Sequence, residues 1–483
     1  MPSAAEYPLL ITLGLTLLAG CGGGSNPVAP GTDAPAPLAA GNVNLIFVVS
    51  PDIDSKGQGD VSDTTGNLTA QGLQRSLLLA PFLRQKVLGN NNVTGIYALE
   101  PMTHLQTAGQ YPDMAAIETI QQFALMNKDT LQFNSGESSL YTANSFHINV
   151  SYSIGQTVGG VAPPFITCAG CQGIDYADQG NDNDSLLSDL AKAGMPGYYV
   201  FSAPWDTTLN MMTALNQAKG YNLSLPSSHS DPNNIYGVTV APSGAASLVT
   251  YNSNVTPSTA YPVLTPAPSV STPCQATLFN YSYSASSAPK TPPVKNTNET
   301  LYLIRHAEAH PISTWENGNY VAQGQWRSLA LPAALKGKIA PDQVYSIDPA
   351  QVVPSGYFGW SYVRPSLTIQ PYAIANNLPY SLVANFELDD TTTVTQNTID
   401  FFFNEPQFSN HKILLAWEHE HFPPLVSALL KIYGSSQTAP AWAQGDYDSI
   451  WTVTIDANGN LTANNALCEG ISTATLPETP PQF

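Results

Sequence analysis

The sequence predicts an α/β protein with two domains, and three observations support this prediction. The apolar residues 301–304 end on Arg305 and His306, a pattern typical of a strand buried on both faces of a parallel sheet. A short segment at residues 70–77 recurs at residues 322–329, which indicates a repeated unit. The 483 residues, 43% of them hydrophobic, are enough for two domains of ordinary size.

Arg305 and His306 are candidates for phosphoryl chemistry, because parallel sheets place their functional groups at the carboxyl ends of the strands. A guanidinium group matches phosphate oxygens in bidentate geometry, and a neutral imidazole can act as a nucleophile. Arg-His is nevertheless a common dipeptide. The functional interpretation therefore depends on further motifs.

Further motifs follow in the order helix, strand, helix and strand. Gly324 marks a tight helix entry, and the last apolar strand runs into Glu418, His419, Glu420 and His421. The segments are residues 320–327, 344–347, 364–368 and 412–417.

This ordered set resembles the histidine phosphatase superfamily, which is also called the phosphoglycerate mutase-like fold. The resemblance covers residues 298–470 and implies a three-layer α/β/α unit with a mostly parallel central sheet. It also implies a phosphatase that acts on a small phosphomonoester through a phosphohistidine intermediate. Such chemistry requires neither a metal nor a cofactor.

The resemblance further implies roles for individual residues. His306 would be the nucleophile, and Arg305 and Arg364 would bind the phosphate oxygens. His419 would donate a hydrogen bond to the transferring phosphoryl group. His421 is its competitor, because residues two apart on an extended segment lie on the same face.

The acid that protonates the leaving group remains open among three glutamates. One branch of the family keeps its acid after the second arginine, at a distance that matches Glu387. Another branch places the acid directly after the second histidine, and Glu418 and Glu420 flank His419. We expect Glu387 to be the acid, with the other two as alternatives or as supporting residues.

The repeated segment predicts that residues 43–253 form a degenerate domain of the same fold. When the two repeated segments are aligned, Arg305, His306, Arg364 and His419 correspond to Ser50, Pro51, Thr103 and Trp205. None of these four residues of the first half carries a cationic side chain. An insertion around residues 135–190 is rich in Ser, Gly, Asn and Asp, which is typical of a long loop. Residues 254–297, dense in Pro, Ser and Thr, would form a linker, and residues 471–483 a C-terminal tail.

The N-terminus resembles a bacterial lipoprotein signal. Its apolar stretch is too short to span a bilayer and ends on Leu-Ala-Gly-Cys. Residues 1–20 would be removed, Cys21 would carry the lipid, and residues 21–42 would form a flexible tether. A plain secretory signal is the alternative. Both interpretations predict a protein outside the cytoplasm, and the first predicts a lipid anchor in the cell envelope.

Four cysteines remain besides Cys21, an even number in a compartment that favours disulfides. We expect Cys168 to pair with Cys171 and Cys274 to pair with Cys468. A redox or zinc function for the CxxC segment is less favoured, because the sequence offers no second CxxC and no neighbouring histidine cluster.

The formal net charge of −19 excludes nucleic acid as a partner and favours a small, weakly charged phosphate ester as substrate. Protein partners are not predicted. The rival hypothesis is a non-catalytic binding or scaffold lipoprotein of the envelope, in which the second unit keeps the motif residues as a ligand pocket.

Overall fold

The computed structural model describes residues 35–55, 58–132, 140–151, 173–178, 180–271, 278–311, 315–353, 359–383 and 391–483. From Ala36 to Phe483 the chain forms one compact unit. The predictions that fall outside the described residues concern the signal peptide, most of the tether, about half of the insertion, Glu387, Cys21, Cys168, Cys171 and Cys274.

Eight α-helices lie in the described part of the chain. They are Ala70–Phe82 (α1), Ala115–Leu125 (α2), Asp182–Ala193 (α3), Trp205–Lys219 (α4), Ala322–Leu335 (α5), Arg364–Asn376 (α6), Thr391–Asn404 (α7) and Phe422–Ile432 (α8). Consecutive helices pack in pairs, α1 with α2, α3 with α4, α5 with α6 and α7 with α8.

The same residues contain eighteen strands. Those of the first half are Val43–Val49 (β1), Gly95–Ala98 (β2), Leu105–Gln106 (β3), Tyr111–Pro112 (β4), Asp129–Gln132 (β5), Leu140–Ala143 (β6), Gly197–Ala203 (β7), Asn234–Val240 (β8) and Ala246–Asn252 (β9). The others are Asn280–Tyr283 (β10), Glu299–Arg305 (β11), Gln343–Ile347 (β12), Val352–Val353 (β13), Trp360–Ser361 (β14), Tyr380–Val383 (β15), Lys412–Trp417 (β16), Ser449–Ile455 (β17) and Leu461–Cys468 (β18).

The two large sheets are mixed, which corrects the expectation of mostly parallel sheets. The first has the order β2-β7-β1-β8-β9, and the second has the order β10-β18-β17-β11-β16-β12-β15. In each, strands on one side of the central strand run parallel to it, and a hairpin on the other side runs antiparallel. Short loops join β8 to β9 and β17 to β18, and two neighbouring strands joined by a short loop must pair antiparallel.

Five strands of the second sheet match the first sheet in order and direction. The parallel set β12-β16-β11 corresponds to β2-β7-β1, and the antiparallel pair β17-β18 corresponds to β8-β9. The repeated segments occupy matching places, since α1 begins at Ala70 and α5 at Ala322. Both helices also use the arginine of the segment in the same way, because Arg75 binds Asp60 and Arg327 binds Glu308.

Helices cover both faces of the second sheet, so this part of the chain has three layers. Leu414 and Ala416 of β16 pack in a core that contains residues of α5 and α6. Ile413 and Leu415 of the same strand pack in a core that contains residues of α7 and α8. Because successive side chains of a strand point to opposite faces, the two helix pairs lie on opposite sides of the sheet.

The two halves of the chain share their hydrophobic cores. One cluster of buried residues includes Ile46 of β1 and Ile304 of β11. Another joins Leu73 of α1 to Trp326 of α5. The first sheet is therefore held against the second through continuous apolar packing.

The predicted linker and tail also pack against the rest of the unit. Within residues 254–297, β10 extends the second sheet by pairing antiparallel with β18. In the tail, the carbonyl oxygen of Pro481 accepts a hydrogen bond from Gln122 at 2.7 Å. Trp326 donates to the carbonyl oxygen of Thr479 at 2.8 Å, so the tail contacts a helix of each half.

Two features of the structure concern the predicted membrane anchor and disulfides. Among the described residues, no helix has both the length and the apolar character needed to cross a membrane. Cys468 is disulfide-bonded, whereas its predicted partner Cys274 is outside the described residues, so the pairing stays a prediction.

Candidate active site

Strand register brings the two histidine motifs together. β11 and β16 run parallel with Arg305 opposite Trp417, so the residues that follow both strands leave the same edge of the sheet. The backbone N–H of His306 donates to the carbonyl oxygen of Trp417 at 3.0 Å. His306 and Glu418 therefore lie side by side although more than a hundred residues separate them.

Helix α6 begins with the second arginine and is tied to the nucleophile strand. The hydroxyl of Thr368 donates to the carbonyl oxygen of Arg364 at 2.7 Å and accepts from the backbone N–H of Ala307 at 2.7 Å. The predicted Arg-x-x-x-Thr segment is thus a helix start in the structure. Its threonine connects the first turn of the helix to the end of β11.

Four of the five predicted catalytic side chains line one cavity of about 960 Å³, and the fifth, Glu387, is outside the described residues. Arg305, His306, Arg364 and His419 are each buried, with exposed fractions of 6%, 1%, 5% and 8%. Neither arginine points into solvent. The structure therefore brings together the groups that the sequence analysis assigned to a single site.

A carboxylate lies between the two histidines. Glu418 Oε1 is 3.0 Å from His306 Nε2, and Glu418 Oε2 is 3.0 Å from His419 Nδ1. The hydroxyl of Tyr362 donates to the same carboxylate, and Arg364 Nη2 lies 3.6 Å from Oε1. Glu418 thus occupies a position that hydrogen-bond donors and positive charge make favourable for an anion.

Burial and charge together lower the pKa values of both members of this pair. Burial lowers the pKa of His306 to about 4, and the nearby arginines act in the same direction, although Glu418 opposes them. Burial alone would raise the pKa of Glu418. The His306 imidazole, the hydrogen bonds from His306 and His419 and the charge of Arg364 outweigh burial and hold that pKa well below its usual range.

Both arginines are held in place by the chain itself. Arg305 donates to the carbonyl oxygen of Gln444, and its guanidinium lies 4.1 Å from the ring centroid of Tyr447. Arg364 binds both carboxylate oxygens of Glu316 at 2.7 Å. The Nε atom of each arginine is buried and has no hydrogen-bond partner among the described residues.

The remaining candidates divide between the cavity and its surroundings. Glu420 is exposed and lines the cavity. His421 does not line the cavity, but stacks on Trp417 with ring centroids 4.3 Å apart. In the described part of the chain, no cluster of His, Cys, Asp or Glu side chains could hold a metal ion.

The first half of the chain contributes to the same cavity. Tyr141 and Asn144 are part of its lining. Asn317 donates to the carbonyl oxygen of Ser145 at 2.8 Å, and Gln121 donates to Asn319 at 2.8 Å. These contacts hold the segment that carries Glu316, the partner of Arg364.

Comparisons with known proteins leave the family of the chain open. No protein-family profile matches the sequence, and no curated protein matches it either. A solved structure from Agrobacterium tumefaciens, assigned as the phosphohistidine phosphatase SixA, is 14% identical with a TM-score of 0.21, covering 34% of this chain and 93% of that one. A second SixA structure, from Nakamurella multipartitia, is 12% identical with a TM-score of 0.22, covering 38% and 94%. Likenesses this weak carry no argument, so the functional conclusion depends on the geometry of the site.

Several residues of the site had no assigned role in the sequence analysis. Glu316 and Tyr362 lie in polar loops between predicted elements, where a glutamate or tyrosine is ordinary. Tyr447 lies far along the chain, and Tyr141 lies in the half that lacks the motif cations. Each reaches the cavity through long-range packing. Glu316 could have been found by asking which carboxylate pairs with Arg364, because a buried arginine needs a carboxylate partner.

Proposed function

We propose that the chain is a metal-independent phosphatase that hydrolyses small phosphomonoesters through a phosphohistidine on His306. The observation that carries this proposal is the convergence of two arginines and two histidines on one buried cavity. Guanidinium groups in such a cavity can bind the equatorial oxygens of a phosphoryl group and stabilise the charge of its transition state.

The first chemical step is attack of His306 Nε2 on phosphorus. A nitrogen–phosphorus bond forms while the bond to the leaving oxygen breaks. In the attacking tautomer, Nδ1 carries the proton and donates a hydrogen bond to the carbonyl oxygen of Ala307, 2.7 Å away, while Nε2 carries no proton. Water then hydrolyses the phosphohistidine and releases inorganic phosphate.

Glu418 is the proton donor that the geometry favours. An entering phosphate would replace the hydrogen bonds to this carboxylate and bring negative charge beside it, which raises the pKa of a carboxyl group. Glu418 would then take up a proton and could deliver it to the leaving oxygen. Glu420, at the exposed side of the cavity, and Glu387 remain alternatives.

The first half is proposed to be a degenerate copy of the same phosphoglycerate mutase-like fold. The matching strand order of the two sheets supports this. At the end of β1, Ser50 stands beside a smaller cavity of about 280 Å³, in which Arg75 is bound to Asp60. The predicted domain boundaries, the lipid anchor on Cys21 and the envelope location are parts of the same proposal.

The competing function is binding without catalysis, and one observation favours it. Arg364 is already paired with Glu316 and lies near Glu418, so the cavity contains carboxylates beside its cations. Under this alternative the cavity would hold a neutral ligand, and no phosphoryl group would reach His306.

Label transfer distinguishes the two functions. The full chain is incubated with a ³²P-labelled aryl phosphate and quenched in alkali, in which phosphohistidine survives. We expect label to appear on the wild type in a burst and to be absent from His306→Ala. Absence of label and of phosphate release in the wild type would exclude the phosphatase.

Replacing Glu418 by glutamine should change how anion binding depends on pH. In the wild type, the pKa of Glu418 is held low and should rise when sulfate binds, so binding should take up a proton and weaken as pH increases. Glutamine carries no charge, so Glu418→Gln removes the repulsion between the carboxylate and the sulfate. We expect it to bind sulfate about 10- to 100-fold more tightly than the wild type at pH 8, with a flatter pH dependence.

Sulfate suits this measurement because its own charge is constant across the pH range. Isothermal titration calorimetry between pH 5 and pH 8 gives the dissociation constants. Glu420→Gln is the matched control, since Glu420 lines the same cavity from an exposed position. Identical slopes for the wild type and Glu418→Gln would mean that Glu418 does not compete with the anion.

A further inference from the structure

Tyr141 belongs to the first half of the chain, yet it lines the cavity that contains His306. It lies on β6, which pairs antiparallel with β5, and Leu131 is its partner in the register. His310 and Pro311 line the cavity as well. An aromatic side chain from one half is thus placed in the site formed mainly by the other.

One face of the Tyr141 ring is covered. The ring stacks on Trp315 with centroids 4.5 Å apart and an interplanar angle of 9°. His310 approaches edge-on, with centroids 5.9 Å apart and an angle of 74°. Tyr141 is part of the cavity lining and Trp315 is not, so a ligand that stacks on Tyr141 would do so on the face opposite Trp315.

The backbone around Tyr141 is held by hydrogen bonds across the two halves. The hydroxyl of Ser145 donates to the carbonyl oxygen of Tyr320 at 2.7 Å. Asn317 donates to the carbonyl oxygen of Ser145, and His310 contacts the side-chain oxygen of Asn317 at 2.8 Å. Because these bonds hold the residues that follow Tyr141, a ligand that stacks on the ring would order little additional backbone.

We infer that Tyr141 is a specificity-determining residue that stacks on the leaving group, so that the site takes small aryl phosphomonoesters in preference to alkyl ones. This inference rests on the proposed phosphatase function and names its substrate class. The cavity of about 960 Å³ has ample room for a phosphoryl group and an aromatic ring together. Aromatic pairs prefer stacked or edge-on arrangements, and Trp315, Tyr141 and the leaving group would form a stack of three rings.

Binding of two phosphonates tests the inference without requiring turnover. Phenylphosphonate carries a ring and methylphosphonate does not, and both are measured by calorimetry on the full chain. We expect the wild type to bind phenylphosphonate about 2- to 12-fold more tightly, the range expected for one aromatic stack. Tyr141→Leu should lose this preference and retain methylphosphonate binding, and Tyr141→Phe should keep it.

Thr142→Ala is the matched control, because Thr142 is the exposed neighbour on the opposite face of the same strand and should leave the preference unchanged. Equal binding of the two phosphonates by the wild type would overturn the inference, as would a preference that persists in Tyr141→Leu. Loss of methylphosphonate binding in Tyr141→Leu would also overturn it, since Tyr141 would then support the whole site.

The label-transfer experiment separates this inference from the proposed function. A wild type that transfers label but shows no preference for phenylphosphonate would remove the inference and keep the phosphatase. A wild type that shows the preference, loses it in Tyr141→Leu and transfers no label would keep the aromatic subsite and remove the phosphatase.

Discussion

Replacing His306 by alanine is expected to lower the hydrolysis of an aryl phosphate by at least about 10³-fold, because the variant lacks the nucleophile on which a two-step mechanism depends. The side chain is fully enclosed, and Arg305 and Arg364 line the same cavity. His419 is not placed to replace it, since the two histidines contact opposite oxygens of the Glu418 carboxylate. The rate of phosphate release at saturating substrate is the measurement.

The matched control is His421→Phe. His421 was the competing candidate for the second histidine, and it stacks on Trp417 outside the cavity lining. Phenylalanine keeps an aromatic ring against the indole. We expect its turnover to stay within a few-fold of the wild type, and equal rates for the wild type and His306→Ala would refute the phosphohistidine mechanism.

The pH profile of the wild type gives a second test of the same nucleophile. An ordinary histidine would lose activity below about pH 6.5, but burial lowers the pKa of His306 to about 4. The acid limb of kcat/KM should therefore lie near pH 4. Because anion binding requires Glu418 to take up a proton, the rate should also fall as pH rises, which places the optimum on the acid side of neutrality.

The sequence predicted the strand ends of this site better than the direction of individual side chains. The apolar runs before Arg305 and before Glu418 indicated buried neighbouring strands, and the ends of such strands meet at one edge. The expectation that His419 and His421 share a face assumed an extended segment. The structure has a 3-10 helix at His419–His421, where the period is three residues and the two side chains diverge.

The first half shows a second limit of alignment by sequence. Thr103 was matched to Arg364, but it lies in a 3-10 turn before the hairpin β3–β4, and the following helix begins at Ala115. Likewise, α6 follows the hairpin β13–β14. The start of α6 therefore corresponds to the start of the helix that follows β3–β4, and not to Thr103. The sequence did not reveal this because strands as short as those of the two hairpins have too little hydrophobic periodicity to be recognised.

Arg327 is expected to be the most sensitive position for stability. The side chain is fully buried and binds Glu308 through two nitrogens at 2.8 to 3.1 Å, and it also donates to Glu469. Two further acceptors are the carbonyl oxygen of Ile471 and the hydroxyl of Thr473. Arg327→Met would leave two buried carboxyl groups without their cation.

We expect Arg327→Met to lower the free energy of unfolding by about 3–5 kcal/mol at pH 8, the usual cost of breaking a buried ion pair by removing one partner. Urea denaturation followed by circular dichroism measures it. Arg75→Met is the matched control from the repeated segment. Arg75 is slightly exposed and binds a single carboxylate, Asp60, so its loss should cost less, about 2 kcal/mol.

The pH dependence decides whether the cost comes from charge or from packing. In the wild type, burial favours the neutral form of Glu308, but Arg327 outweighs it and lowers the pKa. Glu308 therefore stabilises the fold above its unfolded pKa, and this contribution is lost as pH falls. Burial raises the pKa of Glu469 to about 8, so its contribution has the opposite sign and is lost as pH rises towards 8.

Without the guanidinium, burial acts unopposed on both carboxyl groups and raises both pKa values. The free energy of unfolding of the variant should then fall furthest below that of the wild type at pH 8, where both carboxyl groups would otherwise be ionised. The difference should be smallest near pH 5, where both groups bind protons at little cost. Adding Glu308→Gln to Arg327→Met should restore part of the stability at pH 8. A deficit that is the same at pH 5 and pH 8, and is unchanged by Glu308→Gln, would assign the role of Arg327 to packing.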